Sequence, residues 1–176
     1  EVKMIKIESG EYIPTDIDIL IIGYPVHAFN APKIVLDYFN NISFFKEGLP
    51  TYIVKTSGEG LTLNNGSSNK LTSILKNKGI TIFNEYHYLM PYNIIFRHSD
   101  KMAYKMWKTV LELIPLDAKE ILDKKRNNVI KFNVKNQREV FLCILYCLSL
   151  RLRITCGAEQ GLKPIIILKP IYSNGK

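Results

Sequence analysis

Two short stretches of this chain carry residue types that could hold a ligand. The first is Tyr24-Pro25-Val26-His27-Ala28-Phe29-Asn30-Ala31-Pro32. An aromatic ring in such a loop can stack on a planar heterocycle. Backbone groups there can hydrogen-bond a ring edge, and small residues such as Ala28 and Ala31 let the main chain approach closely. The competing reading is an ordinary strand–helix connection with Phe29 packed inward. The second stretch is Thr56-Ser57-Gly58-Glu59-Gly60. Its glycines permit close approach of backbone to a ligand, and its hydroxyls and N–H groups would face that ligand. Any tight turn shares these features.

Other chemistry finds less support. Cys143, Cys147 and Cys156 are spaced C-x3-C-x8-C, which leaves an iron–sulfur cluster short of a fourth thiolate. No cluster is expected, and free buried thiols are the simpler reading. His27, His87 and His98 are scattered and lack the paired spacing of a metal site, so no metal is expected and each reads as structural or surface. Ser57 is not in a G-x-S-x-G string, so no nucleophile elbow is indicated. Dinucleotide and Walker fingerprints are absent, and no catalytic residue is assigned.

The elements that would position the two loops alternate in type. Val2 to Ile7 alternates like a short strand near a sheet edge. Ile17 to Ile22 is a nearly continuous β-branched run, the pattern of a parallel strand buried on both faces, and it stops at Gly23. Asn30 is expected to cap a helix with Pro32 in its first turn and Ile34, Val35, Tyr38, Phe39 and Ile42 on one face. Thr51 to Val54 is a second strand; a helix with Leu71, Ile74 and Leu75 inward follows and ends at Gly79. Ile80 to Phe83 opens a third strand that continues towards Leu89 and ends by Pro91. Ser99 caps a helix striped by Met102, Met106, Val110 and Leu113; Pro115 is expected to break it, with Asp117 capping a continuation to about Lys125. Repeating strand, loop and helix predicts an α/β fold with a parallel sheet. Ligands of such sheets bind beyond the carboxyl ends of the strands. Residues 1–126 read as one domain and 127–176 as an extension. In the extension, Gln137 to Arg153 has an apolar helical pattern, and Lys163 to Pro170 reads as a short edge strand or a poorly packed tail.

The loop strings, taken in order, resemble the flavodoxin-like domain of flavodoxin–ferredoxin fusion proteins. The stretch Asp16 to Pro32 contains G-Y-P-V-H-A-F-N-A-P, Thr56 to Gly60 contains T-S-G-E, and Met90-Pro91-Tyr92-Asn93 follows the next strand. The resemblance covers roughly residues 2–126. It implies a three-layer flavodoxin-like sandwich and electron transfer through bound FMN. Pro25, Val26, His27, Ala28, Phe29, Asn30 and Ala31 would contact the flavin ring, with Thr56, Ser57, Gly58 and Glu59 on its other side. Two features depart from the family. No S/T-x-T-G-N-T string, which cradles the flavin phosphate, occurs in the chain, and the strand before it, central in the family's sheet, has no counterpart. The ferredoxin module with its two cysteine clusters is also absent. The expectations are therefore a flavodoxin fold lacking its first strand and phosphate loop, with FMN bound weakly or not at all. A start at Glu1, inside a strand-like run, reads as a piece of a longer protein. The tail beyond about Gln137 matches no family pattern and reads as either native or frame-shifted.

Composition fits this picture. The chain has 176 residues, 47% hydrophobic and 23% charged, the balance of a globular protein. No signal-peptide pattern is present. The longest apolar stretch, Val140 to Leu150, falls short of the roughly 20 residues a membrane span needs. A cytoplasmic protein without a membrane span is expected. Net charge is +8, made up of −1 over residues 1–96, +7 over 97–153 and +2 beyond. The basic part could meet an acidic redox partner, or could be a solvated helix face; no nucleic acid is expected. An electron carrier is favoured over a stand-alone oxidoreductase. Two alternatives remain open: a flavin-dependent NAD(P)H:quinone-type reductase, and a non-catalytic flavodoxin-fold remnant acting as an interaction module.

Overall fold

A computed structural model of the chain describes residues 2–9, 12–43, 46–58, 64–91 and 97–127, together with the backbone of Ile165–Pro170. In chain order the elements are β1 (Lys3–Lys6), β2 (Ile17–Pro25), α1 (Lys33–Asn41), β3 (Thr51–Ser57), α2 (Asn69–Asn77), β4 (Ile82–Leu89), α3 (Asp100–Leu122) and β5 (Ile165–Pro170). Short 3₁₀ turns sit at Ile7–Ser9 and Asn65–Ser68.

The sheet has five strands in the order β1-β5-β2-β3-β4. Strands β2, β3 and β4 are parallel, with Leu20 opposite Thr51 and Tyr52 opposite Asn84. This is the α/β arrangement expected from the alternating elements, with helices crossing between parallel strands. The run Ile17 to Ile22 forms the strand it predicts, and the strand continues through Gly23 and Tyr24 to Pro25.

β5 departs from expectation. The proline-fenced run lies inside the sheet, antiparallel to both β1 and β2, with Ile166 opposite Ile5 and Ile22. The edge reading rested on proline's missing N–H. Pro170 is the last residue of the strand, and Pro164 precedes it, so the ladder between them keeps its donors. The slot beside β2 that lacked a counterpart in sequence is thus filled from the far end of the chain.

Each face of the sheet carries its own core. Leu20, Ile22 and Tyr24 of β2 and Ile53 of β3 pack with Val35 and Phe39 of α1 and Leu71 and Leu75 of α2. Ile19, Tyr52 and Tyr86 point to the opposite face, as strand alternation requires, and pack with Ile121 of α3. Gly79, at φ 77°, ends α2 in the left-handed region that glycine enters without penalty.

Local expectations are corrected along the first and third helices. Asn30 does not cap α1: the N-cap is Pro32, with no side-chain cap, and the Asn30 carboxamide accepts from Ala31 N–H at 3.0 Å. Ile34 is exposed, whereas Val35 and Phe39 are buried. Pro115 does not break α3, which runs unbroken from Asp100 to Leu122. Pro115 is exposed, so the carbonyl it leaves without a donor can be hydrated. Asp117 is then no cap: its carboxylate accepts from Tyr88 hydroxyl at 2.7 Å, tying α3 to β4. Ser99 does cap α3, its hydroxyl accepting from Met102 N–H at 3.3 Å. Val110 of the expected stripe is buried, but Met102 and Leu113 are exposed. The helical segment expected over Gln137 to Arg153 lies outside the described residues.

Candidate functional site

The carboxyl ends of β2, β3 and β4 meet along one edge and are tied together there. Val26 N–H donates to the Thr56 carbonyl at 2.8 Å, and Met90 N–H donates to the Ser57 carbonyl at 2.8 Å. With the pairing of Pro25 and Thr56, the first bond holds the start of the stretch, at Val26, beside Thr56. The two loops singled out in sequence are therefore neighbours in space. Glu59 lies outside the described residues.

The first loop is a tight turn. His27 N–H donates to Asn30 carbonyl at 2.9 Å, and Asn30 N–H donates back to His27 carbonyl at 3.0 Å. The two central residues are Ala28 at φ 47° and Phe29 at φ 60°. Turns with two left-handed central residues favour asparagine and glycine there. An alanine and a phenylalanine in that region cost roughly 1–2 kcal/mol each. Backbone strain of this kind gathers at ligand clamps. The turn leaves His27 and Ala28 exposed and Phe29 half-buried, while Ala31 is buried against the core.

Behind the loops lies a polar row that the sequence reading did not assign. Tyr24, Lys55 and His87 are register neighbours across β2, β3 and β4. Lys55 is buried, and its ammonium donates to the carboxylate of Glu85 at 3.3 Å, to Asn64 carbonyl at 3.3 Å and to Asn65 carbonyl at 3.4 Å. The two charged side chains are 3% and 5% exposed, so each charge depends on the other for compensation. Ser68 hydroxyl donates to the same Glu85 oxygen at 2.5 Å, and Ser67 hydroxyl donates to Asn64 carbonyl at 2.6 Å. Lys55 thus anchors the 64–68 turn to the sheet.

His87 closes the row towards the loops. Its Nε2 lies 2.6 Å from Ser57 Oγ. Burial, and then the nearby Lys55 ammonium, push the imidazole down to about 4 against the partly opposing pull of Glu85. His87 is therefore neutral at physiological pH and able to take the Ser57 proton in a hydrogen bond. Burial, and next Glu85, push the Tyr24 phenol up. Tyr24 hydroxyl, His87 Nδ1 and Asn64 Oδ1 are buried with no hydrogen-bond partner among the described residues. Buried polar atoms of this kind call for a water or ligand atom.

The sequence contained a signal for this network. Lys55 interrupts an apolar strand that is otherwise buried, and Glu85 and His87 share the period-2 face of β4. Read together they place three ionisable groups on one face of two paired strands.

On the opposite face, tyrosines bind α3. Tyr86 hydroxyl donates to Glu120 at 3.1 Å, and burial raises its pKa to about 12. Tyr52 hydroxyl donates to Lys125 carbonyl at 3.1 Å. These bonds fix the helix and lie away from the loops.

Among the described residues, no group of three or more His, Cys, Asp or Glu side chains could hold a metal. No helix among them is long and apolar enough to cross a membrane. The fold is that of an α/β protein in which the carboxyl ends of three parallel strands meet along one edge. Comparison with protein-family models and with curated proteins finds no match.

Proposed function

We propose that this chain is a flavodoxin-like, FMN-dependent electron-transfer domain whose flavin ring sits between the loop Pro25 to Ala31 and the residues Thr56 to Glu59. The observation that carries the reading is the strained Ala28–Phe29 turn, which follows directly on the Val26 N–H bonded to the Thr56 carbonyl. A rigid, half-exposed aromatic beside backbone donors and a glycine suits the face and edge of a planar heterocycle. Bound flavin would supply one- and two-electron redox chemistry. The protein's part is to stack on the ring, hydrogen-bond its edge and exclude water. No side chain is assigned as acid or base.

The phosphate half fits less well. A phosphate dianion needs several charge-assisted donors, and the chain has no S/T-x-T-G-N-T string to supply them. The ring should therefore carry most of the affinity. A redox partner with an acidic face would approach the basic part of the chain, in a cytoplasmic setting. Lys101, Lys105, Lys108 and Lys119 are exposed along α3, so steering by them weakens as salt rises.

The test is quenching of FMN fluorescence by the protein, repeated with Phe29→Ala. Weak, saturable quenching that the substitution reduces, with thermal unfolding unchanged, supports the reading. Lost stability with unchanged affinity would make Phe29 a core residue instead. Steady NAD(P)H oxidation by the flavin-loaded protein would favour the reductase alternative.

A further inference from the structure

Ser57 and His87 form a pair with chemistry of its own. Ser57 Oγ lies 2.6 Å from His87 Nε2 at the carboxyl edge of the sheet. A serine hydroxyl within hydrogen-bond reach of a neutral imidazole is the arrangement that turns an ordinary alcohol into a nucleophile. Such pairs are recognised by geometry and role, not by sequence string, so the absence of G-x-S-x-G around Ser57 does not exclude one.

The sheet holds both side chains in place. Ser57 is the last residue of β3 and pairs with Leu89 of β4, two residues beyond His87. Met90 N–H donates to the Ser57 carbonyl and Val26 N–H to the Thr56 carbonyl, each at 2.8 Å, so the main chain at Ser57 is tied on both sides. Ser57 is half-buried, and Gly58 after it has no side chain to crowd the hydroxyl.

The surroundings of the imidazole set what the pair can do. Lys55 on β3 and Glu85 on β4 are the charged groups that act on it, and burial keeps it neutral above pH about 4. It is therefore free to take a proton at physiological pH. Its Nδ1 is buried with no hydrogen-bond partner among the described residues. No carboxylate there supports the imidazolium, as the third member of a triad does. The pair thus suits a good leaving group and slow turnover.

We propose that Ser57 is a nucleophile towards activated acyl esters, with His87 as its base. In the first step Ser57 Oγ bonds to the acyl carbon, its proton passes to His87 Nε2, and the leaving alcohol departs with that proton. In the second step a water oxygen bonds to the acyl carbon and gives a proton to Nε2. That proton returns to Oγ as the Oγ–carbon bond breaks. The net reaction is ester hydrolysis and needs no flavin, oxidant or metal.

The test treats the intact chain, without flavin, with an alkyl fluorophosphonate and separately with p-nitrophenyl acetate. Peptide mass spectrometry locates the label. The expected result is labelling of Ser57 and a stoichiometric burst of p-nitrophenolate, both lost in Ser57→Ala. His87→Gln should slow labelling about 100-fold or more, the usual worth of a general base. Ser73 is exposed and its hydroxyl donates to the Asn69 carbonyl at 3.0 Å, so it should stay unlabelled as an internal control. Should His87→Gln fail to fold, the pH profile of the native chain decides. A rate that stays level between pH about 6 and 8 supports a neutral imidazole as the base. An unlabelled Ser57, labelling that folded His87→Gln does not slow, or a rate climbing about tenfold per pH unit, as hydroxide-driven chemistry does, would overturn the proposal.

Discussion

Ser57 Oγ lies 2.6 Å from His87 Nε2, joining the end of β3 to β4 just behind the candidate loops. The imidazole of His87 is pushed from its ordinary 6.5 to about 4, chiefly by burial. The folded state therefore binds this proton less readily than the unfolded chain. Stability that rests on neutral His87 is complete above pH about 6.5, declines as pH falls and is gone once pH passes below about 4. His87→Gln should flatten that part of the profile. The measurement is the unfolding midpoint of both proteins between pH 4 and 7. Equal slopes for the two would remove His87 from the account.

The left-handed turn gives a second expectation. Ala28→Gly should stabilise the fold by about 0.5–1 kcal/mol, since glycine enters this region without the steric cost and returns part of the gain as backbone entropy. Chemical denaturation measures it. A destabilising substitution would mean that the Ala28 methyl makes a contact worth more than the strain.

Lys55 and Glu85 should behave as a unit. Lys55→Ala leaves the buried Glu85 carboxylate without its ammonium partner, and should cost about 3–5 kcal/mol. Lys55→Met with Glu85→Gln should recover much of that loss, because no uncompensated charge remains. Urea unfolding of the single and double variants checks this. Strictly additive losses would mean that the two charges are not coupled.

Hydrophobic periodicity made most of the sheet and two of its helices legible. The β-branched run Ile17 to Ile22 marks a buried strand, Gly79 marks the end of a helix, and Ser99 marks the start of α3, and each lies where its pattern puts it. What escaped was context. Pro115 is tolerated because it faces solvent, and Asn30 turns its side chain to its own loop because Pro32 already begins the helix. The run Lys163 to Pro170 reads in sequence as an edge strand or a tail because the sequence does not say which strands flank it, and the sheet order places it between β1 and β2. The polar row was missed because Lys55, Glu85 and His87 lie 30 and 32 residues apart and meet only through strand pairing. The loop strings placed the candidate site at a strand edge, and the pairing of β2 with β3 brought them side by side.

The ring-first reading is tested most directly by NMR titration of the labelled protein with riboflavin, which lacks the phosphate, and with FMN. The account predicts that both ligands shift the amides of residues 26–31 and 56–58, with dissociation constants within about threefold of each other and in the micromolar range or weaker, above about −8 kcal/mol. Shifts confined to other parts of the chain, or submicromolar affinity for FMN alone, would contradict it.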